Sequence, residues 1–365
     1  MNFLASILPA LLVLGVLIII HEFGHFLACR LSGVNVEKFS IGFGPEILHW
    51  QSKTTRYSLS LFPLGGFVKP AGESVSEVDP TGPKKGDYLA APLLSRIFIV
   101  VAGVAMNYIL AYVLFVSIFM MGRPIPGTMI GGFVDGYPAK TSGLAVGDKI
   151  MKIDGKEVKT WKELTDSLET SAAELQVTIQ RQSQSLDLKL KPRIDDVQDI
   201  FGHKLQVKRL GITPDPHSTE FEKFGLKQSL QAAWDTEYFL TTMTHKAIFF
   251  LLMGKLSMKT ISGPIGIINM TGTAAQLGLP YVLQLTATLS VSLAVINLLP
   301  IPALDGGHLL FLLIEGIRRK QVSLQVQEKA TQVGFFLLLA LMVFIIYNDL
   351  SNINAFAKLK NLFPH

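Results

Sequence analysis

An uncharged apolar run from Phe3 to Ile20 passes without a break into His21-Glu22-Phe23-Gly24-His25. In a bilayer every backbone N–H and C=O must be paired within the protein, so a single apolar stretch of this length is expected to cross as a helix. Two histidines four apart then share one face, at a separation that a tetrahedral zinc ion bridges, and Glu22 beside the first can serve as general base. Ionisable groups at membrane depth are costly to bury and are read first as functional. The bland alternative is a chance match, and its position against an apolar span argues against it.

Further runs of the same kind exclude an ordinary soluble domain, since 49% of the 365 residues are hydrophobic and only 17% charged. The first span is placed at Leu4 to Leu31 and the second at Ile97 to Met121. No charged side chain occurs between Lys259 and Asp305. Within that stretch Tyr281 to Leu299 is the best third span, closed by Pro300 and Pro302. Val333 to Tyr347 is the fourth. Ile248 to Met253, bracketed by Lys246 and Lys255, is read as an interfacial or core helix. Arg30, Lys38, Lys53, Arg56, Lys69, Lys84, Lys85 and Arg96 fall between spans one and two, and Arg318, Arg319 and Lys320 between three and four. Both loops are therefore assigned to the cytoplasm, with the termini and the central segment outside. The net charge of +5 is accounted for by these loops, and no basic stripe with interleaved aromatics points to nucleic acid. The N-terminus lacks the basic region of a cleavable signal, so the first span is expected to be retained. The single cysteine, Cys29, excludes an intramolecular disulfide and a cysteine-based zinc site.

A catalytic zinc usually takes three protein ligands and keeps a fourth position for water. The candidate third ligand is Asp305, in Asn297-Leu298-Leu299-Pro300-Ile301-Pro302-Ala303-Leu304-Asp305-Gly306-Gly307-His308. Two prolines break the helix and glycines follow, so the carboxylate is expected on irregular backbone that bends toward another span. Such backbone is tolerated at depth only where it is buried in protein or lines a cavity. The alternative is an aspartate capping the following helix.

At these two motifs the chain resembles the site-2 protease family of intramembrane zinc metalloproteases, in its bacterial RseP-type branch. The resemblance implies that His21, His25 and Asp305 ligate one Zn2+, that Glu22 activates its water, and that Asn297 helps hold the substrate strand. It implies single-span transmembrane substrates, either anti-sigma-factor-like proteins or remnant signal peptides. It also implies the bacterial cytoplasmic (inner) membrane, with the active site near the cytoplasmic side. Tyr57, Leu59 and Leu61 alternate with serines, which is strand periodicity. With Phe39 to Gly44 they resemble the family's membrane-associated β-hairpin. Gly42, Phe43, Gly44, Gly65 and Gly66 are its candidate substrate-contacting residues, at an edge that adds an unwound substrate as a strand; packing alone is the other reading. Glu73 to Lys85, polar with Pro and Gly, is expected to be a mobile loop. Asn107, in Ala102-Gly103-Val104-Ala105-Met106-Asn107, either lines the site or bonds between helices. Val104 departs from the proline that relatives often carry.

Tyr137 to Val158, with Gly143-Leu144, Gly147-Asp148 and Asp154-Gly155, resembles a bacterial PDZ domain, placed outside the membrane. Its groove either binds a peptide or excludes folded ectodomains. Trp161 to Leu168 is read as its helix, and Leu175 to Ile179 and Leu186 to Leu190 as strands. Glu222 to Leu256 has the character of a membrane-surface helix, and Ser262 to Ile267 matches the family's motif before span three. His49, His203, His217, His245 and His365 are read as loop or surface residues, and His308 either supports the metal or simply starts a helix.

The fold expected is a mainly α polytopic membrane protein of about four transmembrane helices, a membrane-associated β-hairpin and an inserted β-rich PDZ domain. The segments are 1–32 with the first motif, 33–94 with the hairpin, 95–122, the PDZ domain 128–214, an interfacial helix 220–258, 278–304 ending in the LDG motif, 305–320 and 330–348. The function expected is a zinc endopeptidase acting on transmembrane segments. Its rival is a catalytically inactive membrane PDZ scaffold. A zinc transporter would need ligands spread through several spans, whereas here they cluster at one level.

Overall fold

In the computed structural model, residues 3–73, 82–171, 173–198, 204–257 and 261–352 are described. The loop expected from Glu73 to Lys85 lies largely outside them, as do His203 and His365. The first apolar run and its motif form one helix, α1 (Phe3–Leu31), with Pro9 inside. It stops at Gly33, whose φ of 72° lets the Val34 N–H return to the Cys29 carbonyl at 2.9 Å. Two long strands follow, β1 (Val36–Gln51) and β2 (Arg56–Pro70), paired antiparallel. Each doubles back on itself, so Ser40 faces both Ser58 and Phe67. The bends fall at Gly42, Gly44 and Gly65, all at positive φ. Residues 66–70 become an outer run of the sheet, lying along α1. The second long helix, α2 (Leu93–Met121), meets α1 where Gly24 faces Ala102; a Cβ on Gly24 would stand 2.4 Å from the Ala102 carbonyl oxygen. Small residues permit that approach.

Residues 119–226 form a separate compact unit. Its elements in chain order are β3 (Arg123–Pro126), β4 (Ile130–Phe133), β5 (Lys149–Ile153), β6 (Lys156–Glu157), α3 (Trp161–Thr170), β7 (Leu175–Arg181), β8 (Gln184–Leu190), β9 (Arg193–Gln198), β10 (Lys204–Arg209), β11 (Ile212–Pro214) and β12 (Thr219–Glu222). The sheet β6-β5-β7-β8 carries most of the core, and the pairs β3–β12, β4–β11 and β9–β10 complete this β-rich unit. Ile130, Ile150, Leu164, Leu175, Val177, Ile179 and Leu210 are fully buried together. Alternation along β7 puts Leu175, Val177 and Ile179 on one buried face. Thr160 caps α3 by accepting from the Glu163 N–H.

Buried Asp148 accepts from Arg181 Nε and Nη2, both at 2.8 Å, and from the Ala145 N–H at 2.7 Å. The Arg181 guanidinium holds its carboxyl below the usual carboxylate range. A carboxylate whose folded pKa is depressed contributes stability that is complete above its unfolded value near 4 and is lost as pH falls through the folded value. We therefore expect hydrogen-exchange protection of β5 and β7 to fall below about pH 4. Asp148→Asn should cost about 2 kcal/mol at neutral pH and flatten that dependence.

The chain continues with α4 (Leu226–Leu252), α5 (Pro264–Leu277), α6 (Leu279–Asn297), α7 (Asp305–Arg318) and α8 (Leu324–Asn352). Among the described residues, four helical stretches are long and apolar enough to cross a membrane: Ser6–Leu31, Leu93–Met121, Leu279–Asn297 and Leu324–Ser351. The last is much longer than Val333 to Tyr347, because the polar stretch before it is made of good helix formers that extend the same helix. The third ends at Asn297 rather than Leu299, where the Pro-rich turn begins. Residues 248–252 are the last turn of α4.

The N-terminus of α5 is capped by a distant carboxylate. Asp349, buried on α8, accepts from the backbone N–H groups of Gly263, Ile265 and Gly266 at 3.0–3.1 Å. Asp349→Ala leaves three donors without that acceptor, an expected cost of about 1–3 kcal/mol. Hydrogen exchange at Ile265 and Gly266 reads it; unchanged protection there would mean that water replaces the carboxylate.

Candidate metal centre

One turn of α1 places His21 and His25 side by side, with Nε2 atoms 3.2 Å apart. The segment after α6 turns back through Ala303, at a positive φ of 91°, and delivers Asp305 between them. Its Oδ2 lies 3.1 Å from His21 Nε2 and 3.4 Å from His25 Nε2. Asp305 is the first residue of α7, whose cap is Leu304, so it stands on a helix end rather than on irregular backbone. The cap residue Leu304 offers no side-chain acceptor, and the Asp305 carboxylate turns its Oδ2 to the histidines. The turn is drawn tight by Gly306 and Gly307, where a Cβ would meet the Leu299 and Ile301 carbonyls at 2.1 and 2.5 Å.

The protonation pattern is set from outside the triad. His25 Nδ1 lies 2.8 Å from the Ile99 carbonyl and must donate to it, so its Nε2 carries a lone pair. Fully buried Asn107 lies 3.2 Å from His21 Nδ1 through Nδ2, while its Oδ1 finds no partner among the described residues. Exchanging the amide O and N, which shape alone does not distinguish, gives His21 Nδ1–H its acceptor and leaves Nε2 with a lone pair. Asn297 Nδ2, at 3.4 Å, approaches that same lone pair. Asp305 Oδ2 is itself buried with no hydrogen-bond donor to it among the described residues other than the two imidazoles beside it. With both imidazoles neutral in these tautomers, three acceptor atoms converge, a set that suits a cation. In a tetrahedral site with bonds of about 2.0–2.1 Å the donor atoms stand about 3.3–3.4 Å apart. The three observed separations, 3.1–3.4 Å, fit that spacing.

Glu22 faces the same space. Its Oε2 accepts from the Val68 N–H at 3.1 Å, which ties the carboxylate to the hairpin run 66–70. Gly66 belongs to this contact, since a Cβ there would come 3.4 Å from Glu22 Cγ and 2.8 Å from the Ser40 carbonyl. Gly42, Gly44 and Gly65 form the bends beside it, and Phe43 stacks on Phe67 at 6.2 Å. A cavity of about 170 Å³ opens onto Glu22, His25, Asp305 and His308, so His308 lines the site.

Two contributors were not singled out in the sequence. The Ile99 carbonyl and Gly103, one turn apart on α2, hold the two sides of the His25 ring. A glycine four residues before an asparagine in an apolar helix is the faint signal that marked them. Arg96 and Glu315, both largely buried, pair through two bonds at 2.5 and 3.0 Å and tie α2 to α7 near the site.

A cluster of His, His, Asp and Glu beside helices of membrane-spanning length has the donor set and general base of a metallopeptidase centre. The profile of peptidase family M50 matches residues 9–341, and the chain belongs to that family. It is a multi-pass membrane peptidase. The protein named "Putative zinc metalloprotease Cj1068" from Campylobacter jejuni is 37% identical over 95% of this chain and 93% of its own length. "Putative zinc metalloprotease Atu1380" from Agrobacterium fabrum is 35% identical over 95% and 96%. Among solved structures, the PDZ domain of an SdrC-like protein from Listeria monocytogenes aligns with 24% of this chain and 87% of its own, at 22% identity and a TM-score of 0.20.

Proposed function

We propose that this chain is a zinc endopeptidase that cuts transmembrane segments within the membrane, with His21, His25 and Asp305 holding the metal. The observation that carries the reading is the convergence of two imidazole Nε2 atoms and one carboxylate Oδ2 at separations of 3.1–3.4 Å. When bound, zinc supplies a polarised scissile carbonyl and a water whose pKa is lowered toward neutrality. Glu22 takes the proton onto its carboxylate and returns it to the leaving amine, held in one rotamer by the Val68 N–H. Asn107 and the Ile99 carbonyl keep both imidazoles in the tautomer that presents Nε2. A helical substrate must unwind before its carbonyl can be attacked, and Gly or Pro near the bond lowers that cost. The hairpin run 66–70, beside Glu22, is the strand to which the unwound segment adds, and Asn297 holds it near the metal.

Substrates of this reading are single-span proteins, anti-sigma-factor-like or remnant signal peptides. The PDZ-like unit, outside a bacterial inner membrane, then receives a peptide or screens bulky ectodomains. The test is cleavage of a model single-span substrate in liposomes, with chelation and zinc re-addition. Cleavage should vanish on chelation and return with about one zinc per chain. Cleavage indifferent to metal would refute the metal assignment. A folded protein that neither takes up zinc nor cuts any span would instead be a scaffold.

A further inference from the structure

A second polar feature stands apart from the proposed metal ligands. Helices α2 and α4 flank an open cavity of about 560 Å³ that is overwhelmingly apolar. On α4, Trp234, Glu237 and Tyr238 lie at i, i+3 and i+4 and so share the face that lines it. On α2, Tyr108 and Tyr112 do the same, and the Tyr112 hydroxyl donates to the Leu230 carbonyl at 3.1 Å, fixing the two helices together. At the base sits Glu237, only 8% exposed, whose Oε1 is buried with no hydrogen-bond partner among the described residues. No lysine or arginine lines the cavity among those residues.

A buried carboxylate oxygen without a donor is costly, so the position is retained for something that brings one. Four aromatic rings around it favour a cation, whose charge their faces attract. The bond left unmade requires that the cation carry N–H groups. The mouth is formed by Ile109, Trp234 and Tyr238, which are 54%, 64% and 65% exposed and offer acyl chains an apolar surface beside a membrane-length helix. Tryptophan and tyrosine with an amphipathic neighbour are the residues that sit at lipid headgroups.

We propose that this cavity binds the primary ammonium headgroup of phosphatidylethanolamine, with Glu237 accepting its N–H and the four rings enclosing its charge. A choline headgroup keeps the charge but has no N–H to give Glu237, and a glycerol headgroup has neither. The proposal does not depend on zinc or on cleavage.

The experiment is native mass spectrometry of the full chain taken from nanodiscs holding equal parts of phosphatidylethanolamine, phosphatidylcholine and phosphatidylglycerol. The wild type should retain the ethanolamine lipid about tenfold over the other two. Glu237→Gln, the same shape without the charge, should abolish that preference. Trp234→Leu, at an exposed position that does not threaten folding, should weaken it. Equal retention of the three lipids overturns the proposal, as does a preference unchanged in both variants. A lysine-bearing peptide displacing the lipid at equal concentration would also overturn it, by assigning the cavity to a protein partner.

Discussion

Replacing Glu22 by Gln should lower the turnover of a single-span substrate about 10³-fold while leaving bound zinc unchanged. A general base that also returns its proton is worth about 10²–10⁴ in rate. Glutamine keeps the volume and an acceptor oxygen for the Val68 N–H, so the hairpin run stays in place. The three proposed metal ligands are untouched. Turnover in liposomes, measured beside zinc content by elemental analysis, separates chemistry from metal binding. Full activity in the variant would remove Glu22 from the proton path. Loss of zinc together with activity would give it a structural role instead.

Gly103→Ala should act in the opposite way, taking the metal and the activity together. A Cβ at this position would stand 2.2 Å from His25 Nε2, 2.5 Å from Cε1 and 2.8 Å from Cδ2. The ring has nowhere to retreat without losing its bond to the Ile99 carbonyl, which comes from the preceding turn of the same helix. The helices cannot part cheaply either, since Gly24 already meets Ala102 at backbone contact. Loss of an imidazole's supporting contacts ordinarily costs 10–100-fold in metal affinity, and displacing the ligating nitrogen itself should reach about 100-fold or more. Chelator competition reads this directly. Gly15→Ala is the control, because nothing lies within 4 Å of a Cβ there. Wild-type zinc affinity in Gly103→Ala would show that α1 and α2 yield at this crossing and that the site is not rigid.

The contrast between these substitutions reflects where each residue's role is written. Glu22 could be named from the chain because spacing on one helix turn is a local property: His21, Glu22 and His25 lie within five consecutive residues of one apolar run. Gly103 could not, because its role depends on a crossing between two helices, and its partner atom lies 78 positions earlier in the chain, by subtraction of 25 from 103. The sequence leaves Asn107 open between lining the site and bonding between helices; its contact with His21, 86 residues away, does both. The hairpin was legible as alternating strand, yet its doubling back was not. That follows from three positive-φ glycines acting together, and the strand period alone does not report them.

By itself the sequence determined the long apolar helices and the residue types able to hold and use a metal. Length, hydropathy and the 3.6-residue period act locally and are strong when a membrane forces every backbone group to pair within its own element. Only the tertiary structure decided that Asp305 opens a helix between the two imidazoles and that Asp349 caps α5 from α8. It alone set Glu237 among the aromatic residues of a cavity, its Oε1 unpaired among the described residues. Each of these depends on which faces of distant helices meet. That choice is made by packing and by the cost of leaving buried polar atoms unpaired, and neither leaves a periodic trace in the chain.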